Sequence, residues 1–249
     1  MRWGQKPLKA AVDEENPYWM SFSDIMSGLL VIFILASVIL ILQLMLKQQE
    51  FDEEVELLRR AEKVRETILV QAADELQRRG IRVQLNENKT LLRIPNYLLG
   101  FDSGSDEIKP EYQDTAYQIG DVLQSLIAID DRADYLDTVF VEGHTDSRPF
   151  QRRPCGEKGN WCLSSFRAIS LWLYWDSALP EGQRLSDMSN KAGDPLFSVS
   201  GYAASRPVVE DELSEEDLSR NRRIDIRFTI RRPGSEEYEA VRDSVRELR

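Results

Sequence analysis

The hydropathy pattern divides the chain into three parts. One run is apolar on every face, the next stretch is apolar at every third or fourth residue, and a longer region mixes short alternating runs with helical ones. From Ile25 to Leu46 there are 22 consecutive residues without a charge, interrupted by Ser27, Gly28, Ser37 and Gln43. A helix of that length reaches about 33 Å, enough to cross a bilayer core of roughly 30 Å. The pattern therefore predicts a transmembrane helix over residues 18–46. A cleaved signal peptide would need a shorter apolar core and a small-residue cleavage site, whereas here a charged, helical-looking segment follows directly.

Residues 47–80 read as a helical connector. Val55, Leu58, Ala61, Val64, Ile68, Ala72 and Leu76 recur three or four residues apart, and Gly80 closes the pattern. Two arrangements fit: an amphipathic helix packed on its own domain, or a two-stranded coiled coil in a dimer, with the pattern slightly favouring the coiled coil. Residues 81–232 then form a domain. Arg82–Leu85 and Thr90–Pro95 read as strands around a polar turn, and residues 110–129 as a helix. Thr138–Glu142 reads as a strand, Leu163–Trp175 as an apolar helix, and Phe197–Tyr202 and Ile224–Ile230 as strands. This order predicts an α+β two-layer sandwich with its helices on one face of the sheet. Residues 233–249 read as a charged C-terminal helix.

Charge adds orientation and excludes some chemistry. The net charge of −11 argues against a nucleic-acid partner, which needs a concentrated basic face. Residues 1–17 carry Arg2, Lys6 and Lys9, while Glu50, Asp52, Glu53, Glu54 and Glu56 follow the apolar run. The positive-inside rule places the N-terminal segment in the cytoplasm and the bulk of the chain in the periplasm of a bacterium with a single-pass inner-membrane protein. Cys155 and Cys162 then lie in an oxidising compartment, and a disulfide between them is expected. One histidine and two cysteines leave little material for a structural zinc site. There is no P-loop and no G-x-G-x-x-G, and no bound cofactor or metal is expected.

Asp24 stands one residue before the apolar run. With Tyr18 and Trp19 at the membrane interface, an acid there is costly and marks an ion path. It could equally cap the helix, since Ser23 and Asp24 are good N-cap residues. The surrounding residues, Trp19 and then Phe22-Ser23-Asp24-Ile25-Met26-Ser27, resemble the signature of MotB-type stator subunits. That resemblance implies that Asp24 carries the translocated ion, H⁺ or Na⁺, and that Ser27 on the same helix face assists. It also implies a homodimer inside a ring, expected to be a pentamer, of polytopic MotA/ZorA-like membrane subunits.

A second resemblance covers about 150 residues. Phe101…Gly104-Ser105, Gly143-His144-Thr145-Asp146, Asn160…Leu163-Ser164…Arg167-Ala168 and Asn221–Ile226 are similar to the motifs of OmpA-like peptidoglycan-binding domains. The resemblance implies that Asp146 and Arg167 grip the diaminopimelate of the cell-wall stem peptide, with Asn160 and Leu163 in the same site. A guanidinium suits a carboxylate and a carboxylate suits an ammonium. The chain departs from the pattern in one place: Asp146 and Asn160 are 14 residues apart, a longer spacing than usual, and the extra residues contain Cys155.

His144, Asp146 and a nearby serine could be imagined as a hydrolytic triad, but no nucleophile-elbow motif is present and an enzyme is not expected. Trp172, Tyr174 and Trp175 read as core and rim of their helix. The expectation is the B subunit of an ion-driven motor anchored to peptidoglycan. The short length and uninterrupted connector resemble the ZorB group, the MotB-like subunits of Zorya antiphage systems. A flagellar MotB-like subunit is the alternative within motors, and a passive membrane-to-wall tether the alternative outside them.

Overall fold

A computed structural model describes residues 17–151 and 153–232, with side chains from Phe22 onward. The expected N-terminal segment up to residue 16, the side chains of Tyr18 and Trp19, and the expected charged helix over 233–249 lie outside the described residues. The described chain falls into two units that meet between Glu53 and Glu54.

The first unit is the N-terminal part of helix α1, Pro17–Arg78. Proline suits the first helical position because its missing N–H would have no partner there. Within Phe22–Arg78 an 18-residue window has a mean hydropathy of 3.1, and none of it is buried. Leu29, Ile32, Phe33, Leu40 and Leu44 are among the side chains it exposes. In water such an all-round apolar surface is unstable, and in a bilayer it is the favoured one.

The second unit is the α+β two-layer fold. Five strands are described: β1 Gln84–Leu85, β2 Leu91–Pro95, β3 Leu136–His144, β4 Phe197–Gly201 and β5 Arg223–Ile230. They form one sheet in the order β1-β2-β5-β3-β4. All neighbours are antiparallel except β3 and β4. That parallel pair needs a crossover, which α3, Gly159–Ala178, supplies. Helix α2, Pro110–Ile127, precedes β3, and α4, Glu215–Asn221, precedes β5.

Side chains alternate across the strands. On one side Leu92, Ile94, Val139, Val141, Ile224, Ile226 and Phe228 join the core with Ile119 and Leu123 of α2 and Leu171 and Trp175 of α3. The intervening positions of β3 and β5 carry a row of charges instead. Asp225 accepts from Arg93 at 3.3 Å and from Arg223 at 3.0 Å, and Glu142 takes both Nε and Nη2 of Arg227, at 2.8 and 2.9 Å. Glu142 and Asp225 are nearly fully buried, so these pairings offset a large desolvation cost.

The connector needs correction. Ile68, Ala72 and Leu76, which a coiled coil would place in a seam with a second copy, are buried in the core of their own domain together with Leu69, and Ala61 is buried as well. Leu69 widens the apolar stripe beyond a narrow seam, as a helix packed on a globular core requires. The domain therefore begins within α1, well before Ile81. Arg79 binds Asp121 of α2 at 2.9 Å, and Gly80 ends the helix at φ +84°. Helix α4 was also absent from the sequence reading. Its signal was Ser214-Glu215-Glu216-Asp217, a capping box in which the Ser214 hydroxyl accepts from the Asp217 amide and the Asp217 carboxylate accepts from the Ser214 amide.

Candidate functional site

The end of β3 and the start of α3 meet at unusually close range. A Cβ on Gly143 would stand 1.9 Å from the Ser164 carbonyl oxygen. Only glycine permits this approach, and it sets Thr145 and Asp146, just beyond β3, beside Leu163 and Arg167 of α3. Ser164 reinforces the junction, because its hydroxyl accepts from the Ala203 amide at 3.0 Å.

Beside this junction lies a cleft of about 230 Å³, lined by Ser103, Gly104, Thr145, Asp146, Arg148, Pro149, Phe150, Asn160, Leu163, Arg167 and Arg222. All four residues expected at a wall-binding site, Asp146, Asn160, Leu163 and Arg167, line it together. Their roles differ. Asn160 is a brace: its amide donates to the backbone carbonyls of Asp146 and Arg148, at 3.2 and 2.9 Å. Leu163 is a buried apolar wall.

Arg167 is buried, with its guanidinium carbon 5.4 Å from the centre of the Phe101 ring. Its Nε donates to the Ser105 carbonyl and its Nη2 to the Asp102 carbonyl, both at 2.8 Å. Its Nη1 makes no hydrogen bond among the described residues. Burial, and then the charge of Arg222, bring its pKa down to about 10, so it remains a cation at neutral pH.

Asp146 pairs elsewhere. Its carboxylate accepts from Arg148, Nη2 at 2.7 Å and Nε at 3.2 Å, and from Arg222 Nη1 at 2.7 Å. Burial alone would raise its pKa, but the two guanidiniums outweigh burial and hold it below the usual carboxylate range. Glu215 pairs with the same two arginines, at 3.2 and 2.9 Å. The sequence reading named neither Arg148 nor Arg222 as a site residue. Arg222 was visible as part of Asn221–Ile226, while Arg148 had no signal beyond lying in the long loop. Asn221, from the same motif, folds its amide onto the backbone, accepting from Val208 and Val209 and donating to the Val209 carbonyl.

Cys155 and Cys162 are joined in a disulfide, with Cα atoms 5.4 Å apart. It closes the loop that carries Phe150 to the start of α3. His144 is fully buried, stacked on Tyr202 at 5.6 Å between ring centres, and neither ring nitrogen has a hydrogen-bond partner among the described residues. Trp175 and Tyr174 donate to the carbonyls of Ala116 and Gln113, and Trp172 stacks on Phe197. Far along the chain, Asp24 and Ser27 lie three residues apart on the exposed part of α1, a spacing that puts them on one face.

No family model matches the chain. Among solved structures, the chain is similar to a MotB like protein from Desulfovibrio vulgaris. They share 19% identity and a TM-score of 0.49, over 70% of this chain and 99% of that one. It is also similar to the cell wall anchor of the T6SS from Pseudomonas aeruginosa, with 23% identity and a TM-score of 0.46, over 66% of this chain and 97% of that one. In sequence, the chain resembles Zorya protein ZorB of Escherichia coli (strain Crooks), with 23% identity over 221 residues that span 85% of this chain and 87% of its relative.

Proposed function

We propose that this chain is the B subunit of an inner-membrane motor driven by H⁺ or Na⁺ and anchored to peptidoglycan, working in Zorya-type antiphage defence. The observation that carries the proposal is the pairing of two features in one chain. An exposed apolar helix bears an acid, Asp24, near its start, and a separate α+β domain has a cleft where buried Arg167 and buried Asp146 converge. The likeness to ZorB spans 85% of this chain. The motifs around Asp24 and Arg167 supply the roles.

In this reading α1 crosses the membrane once, with the N-terminus cytoplasmic and the α+β domain periplasmic. Two copies sit within a ring of MotA/ZorA-like polytopic subunits. Asp24 alternates between a protonated or cation-bound state and a hydrated, charged one, because a bare carboxylate in a bilayer is costly. Ser27 offers a hydroxyl on the same face. The α+β domain holds the wall still while the ring moves. In this reading the chain conducts ions and anchors, and performs no catalysis of its own.

Wall binding is tested with the full chain in detergent micelles, sedimented with purified peptidoglycan. The wild type is expected in the pellet. Arg167→Ala is expected in the supernatant, because removing one charged partner from a buried site costs about 2–5 kcal/mol. Since Arg167 also ties down two carbonyls, a thermal melt of the same variant separates lost binding from lost folding. A folded Arg167→Ala protein that sediments like the wild type would refute the site.

A further inference from the structure

A larger hollow opens at the other end of β3 from the wall-binding cleft. It encloses about 760 Å³ and is lined by Asp137 at the start of β3, the loop from Asn190 to Asp194, the end of β5 from Arg227 to Arg232, and Arg65 of α1. A smaller hollow of about 150 Å³ shares Arg231 with it and is lined by Leu57 and Ala61 of α1, with Asp131, Asp134 and Lys191. Leu57, Ala61 and Arg65 recur every four residues, so one stripe of α1 runs along both hollows and makes them one groove.

The groove changes character along its length. The larger hollow carries four arginines, Arg65, Arg227, Arg231 and Arg232, against Asp137 and Asp194. In the smaller one Asp131 and Asp134 balance Lys191 and Arg231, and the α1 stripe is apolar. Ala61 is buried there, while Leu57 is 40% exposed. The Nε of Arg65 is buried and makes no hydrogen bond among the described residues. A buried donor without an acceptor is uncommon and calls for one. Its neighbours are otherwise engaged: Arg227 holds Glu142, and Asp137 accepts from the Thr138 hydroxyl.

The chain leaves the described domain in this groove, because Arg231 and Arg232 are its last described residues. The residues that follow match the groove in order. Glu236, Glu237 and Glu239 come first, then Arg242, Arg246 and Arg249 with Asp243 and Glu247 among them. Tyr238, Val241, Val245 and Leu248 recur three or four residues apart, the pattern of a helix with one apolar face. Ser235 suits the N-cap, and acids at the start and arginines at the finish suit the helix dipole. As a helix, residues 236–249 reach about 21 Å, enough to pass the roughly 12 Å of α1 between Arg65 and Leu57.

We infer that residues 236–249 dock in this groove as a helix antiparallel to α1, with Glu236 and Glu237 at Arg65 and the stripe from Tyr238 to Leu248 over Leu57 and Ala61. The segment is a clasp of this chain on itself. It ties α1 to β5, the central strand of the sheet, outside the hydrophobic core. A load carried along α1 then passes to the sheet through the clasp as well as through the core. The clasp stands apart from the wall-binding reading, since the groove and the cleft lie at opposite ends of β3.

The test uses the full chain in detergent micelles and the rate at which a charged maleimide reacts with a cysteine placed in the groove, Leu57→Cys. The two native cysteines are joined in a disulfide and do not react. Arg59→Cys, at an exposed position on the opposite side of α1, gives the rate for an open site. Leu57→Cys should react about tenfold or more slowly than Arg59→Cys, the ratio for a groove closed at least nine-tenths of the time. Stopping the chain at Arg232 should bring the two rates together. Arg65→Glu should do the same, and adding Glu236→Lys with Glu237→Lys should restore the slow rate, a rescue that a merely unfolded domain would not show. Equal rates in the full chain overturn the inference. A slow Leu57→Cys that persists when the chain stops at Arg232 also overturns it and gives the groove to another occupant, such as a second copy. Absence of rescue by the two lysines overturns the seating of Glu236 and Glu237 at Arg65.

Discussion

His144 gives the most direct pH prediction of any single residue. Burial, and then the charges of Arg223, Arg206, Arg93 and Arg227, push its pKa down to about 2. Asp225 lies 3.6 Å away, beyond hydrogen-bond reach, and Glu142 is committed to Arg227. The folded state therefore keeps the ring neutral, while the unfolded chain takes up a proton below about pH 6.5. Stability is full above that pH and falls as the pH drops, by about 1.4 kcal/mol per unit, or roughly 2 kcal/mol between pH 6.5 and 5. The depressed carboxylate of Asp146 acts in the same direction, but only from about pH 4 downward. Urea unfolding of residues 54–249 at several pH values checks this. His144→Phe keeps a ring against Tyr202 without a titrating nitrogen and should flatten the slope between pH 6.5 and 5; an unchanged slope would assign it to other groups. At this scale the sequence was only partly readable. Asp146 and Arg167 were legible because their motifs carry them. The partners of Asp146 were not, because Arg148 reaches it through the fold of one long loop and Arg222 arrives from the far end of the chain, 76 residues away.

Among the elements, the strands and the two long helices of the domain were legible from periodicity alone. Ile224, Ile226 and Phe228 alternate inward, and Leu163 to Trp175 lies wholly within α3. The connector was harder to read, because a stripe at three-to-four spacing describes a helix seated on a domain as well as one seated on a second copy. What decides is Leu69, which broadens the stripe, and the company its neighbours keep in the core. This has a consequence for any soluble fragment. Cutting at Ile81 removes Ile68, Leu69 and Leu76, each worth about 2–5 kcal/mol by analogy with truncation to alanine. Together that rivals the whole stability of a typical domain, about 5–15 kcal/mol. A fragment starting at Glu54 should show a cooperative thermal transition, and one starting at Ile81 should not. Equal melting of the two would mean that α1 is dispensable to the fold.

The whole molecule joins two parts whose physical demands differ. A tether needs only an apolar helix to reach the wall-binding domain, and an acid in that helix is then a pure cost. A motor needs the acid. The comparison of Asp24 with asparagine separates these readings, because asparagine keeps the size and caps a helix as well as aspartate does, yet cannot titrate. The decisive measurement is protection against phage infection by cells carrying Asp24→Asn in place of the wild type, beside a measure of membrane-inserted protein and of its sedimentation with peptidoglycan. The account predicts normal insertion, normal wall binding and complete loss of protection. Full protection by Asp24→Asn at normal protein level would contradict it and leave a passive tether.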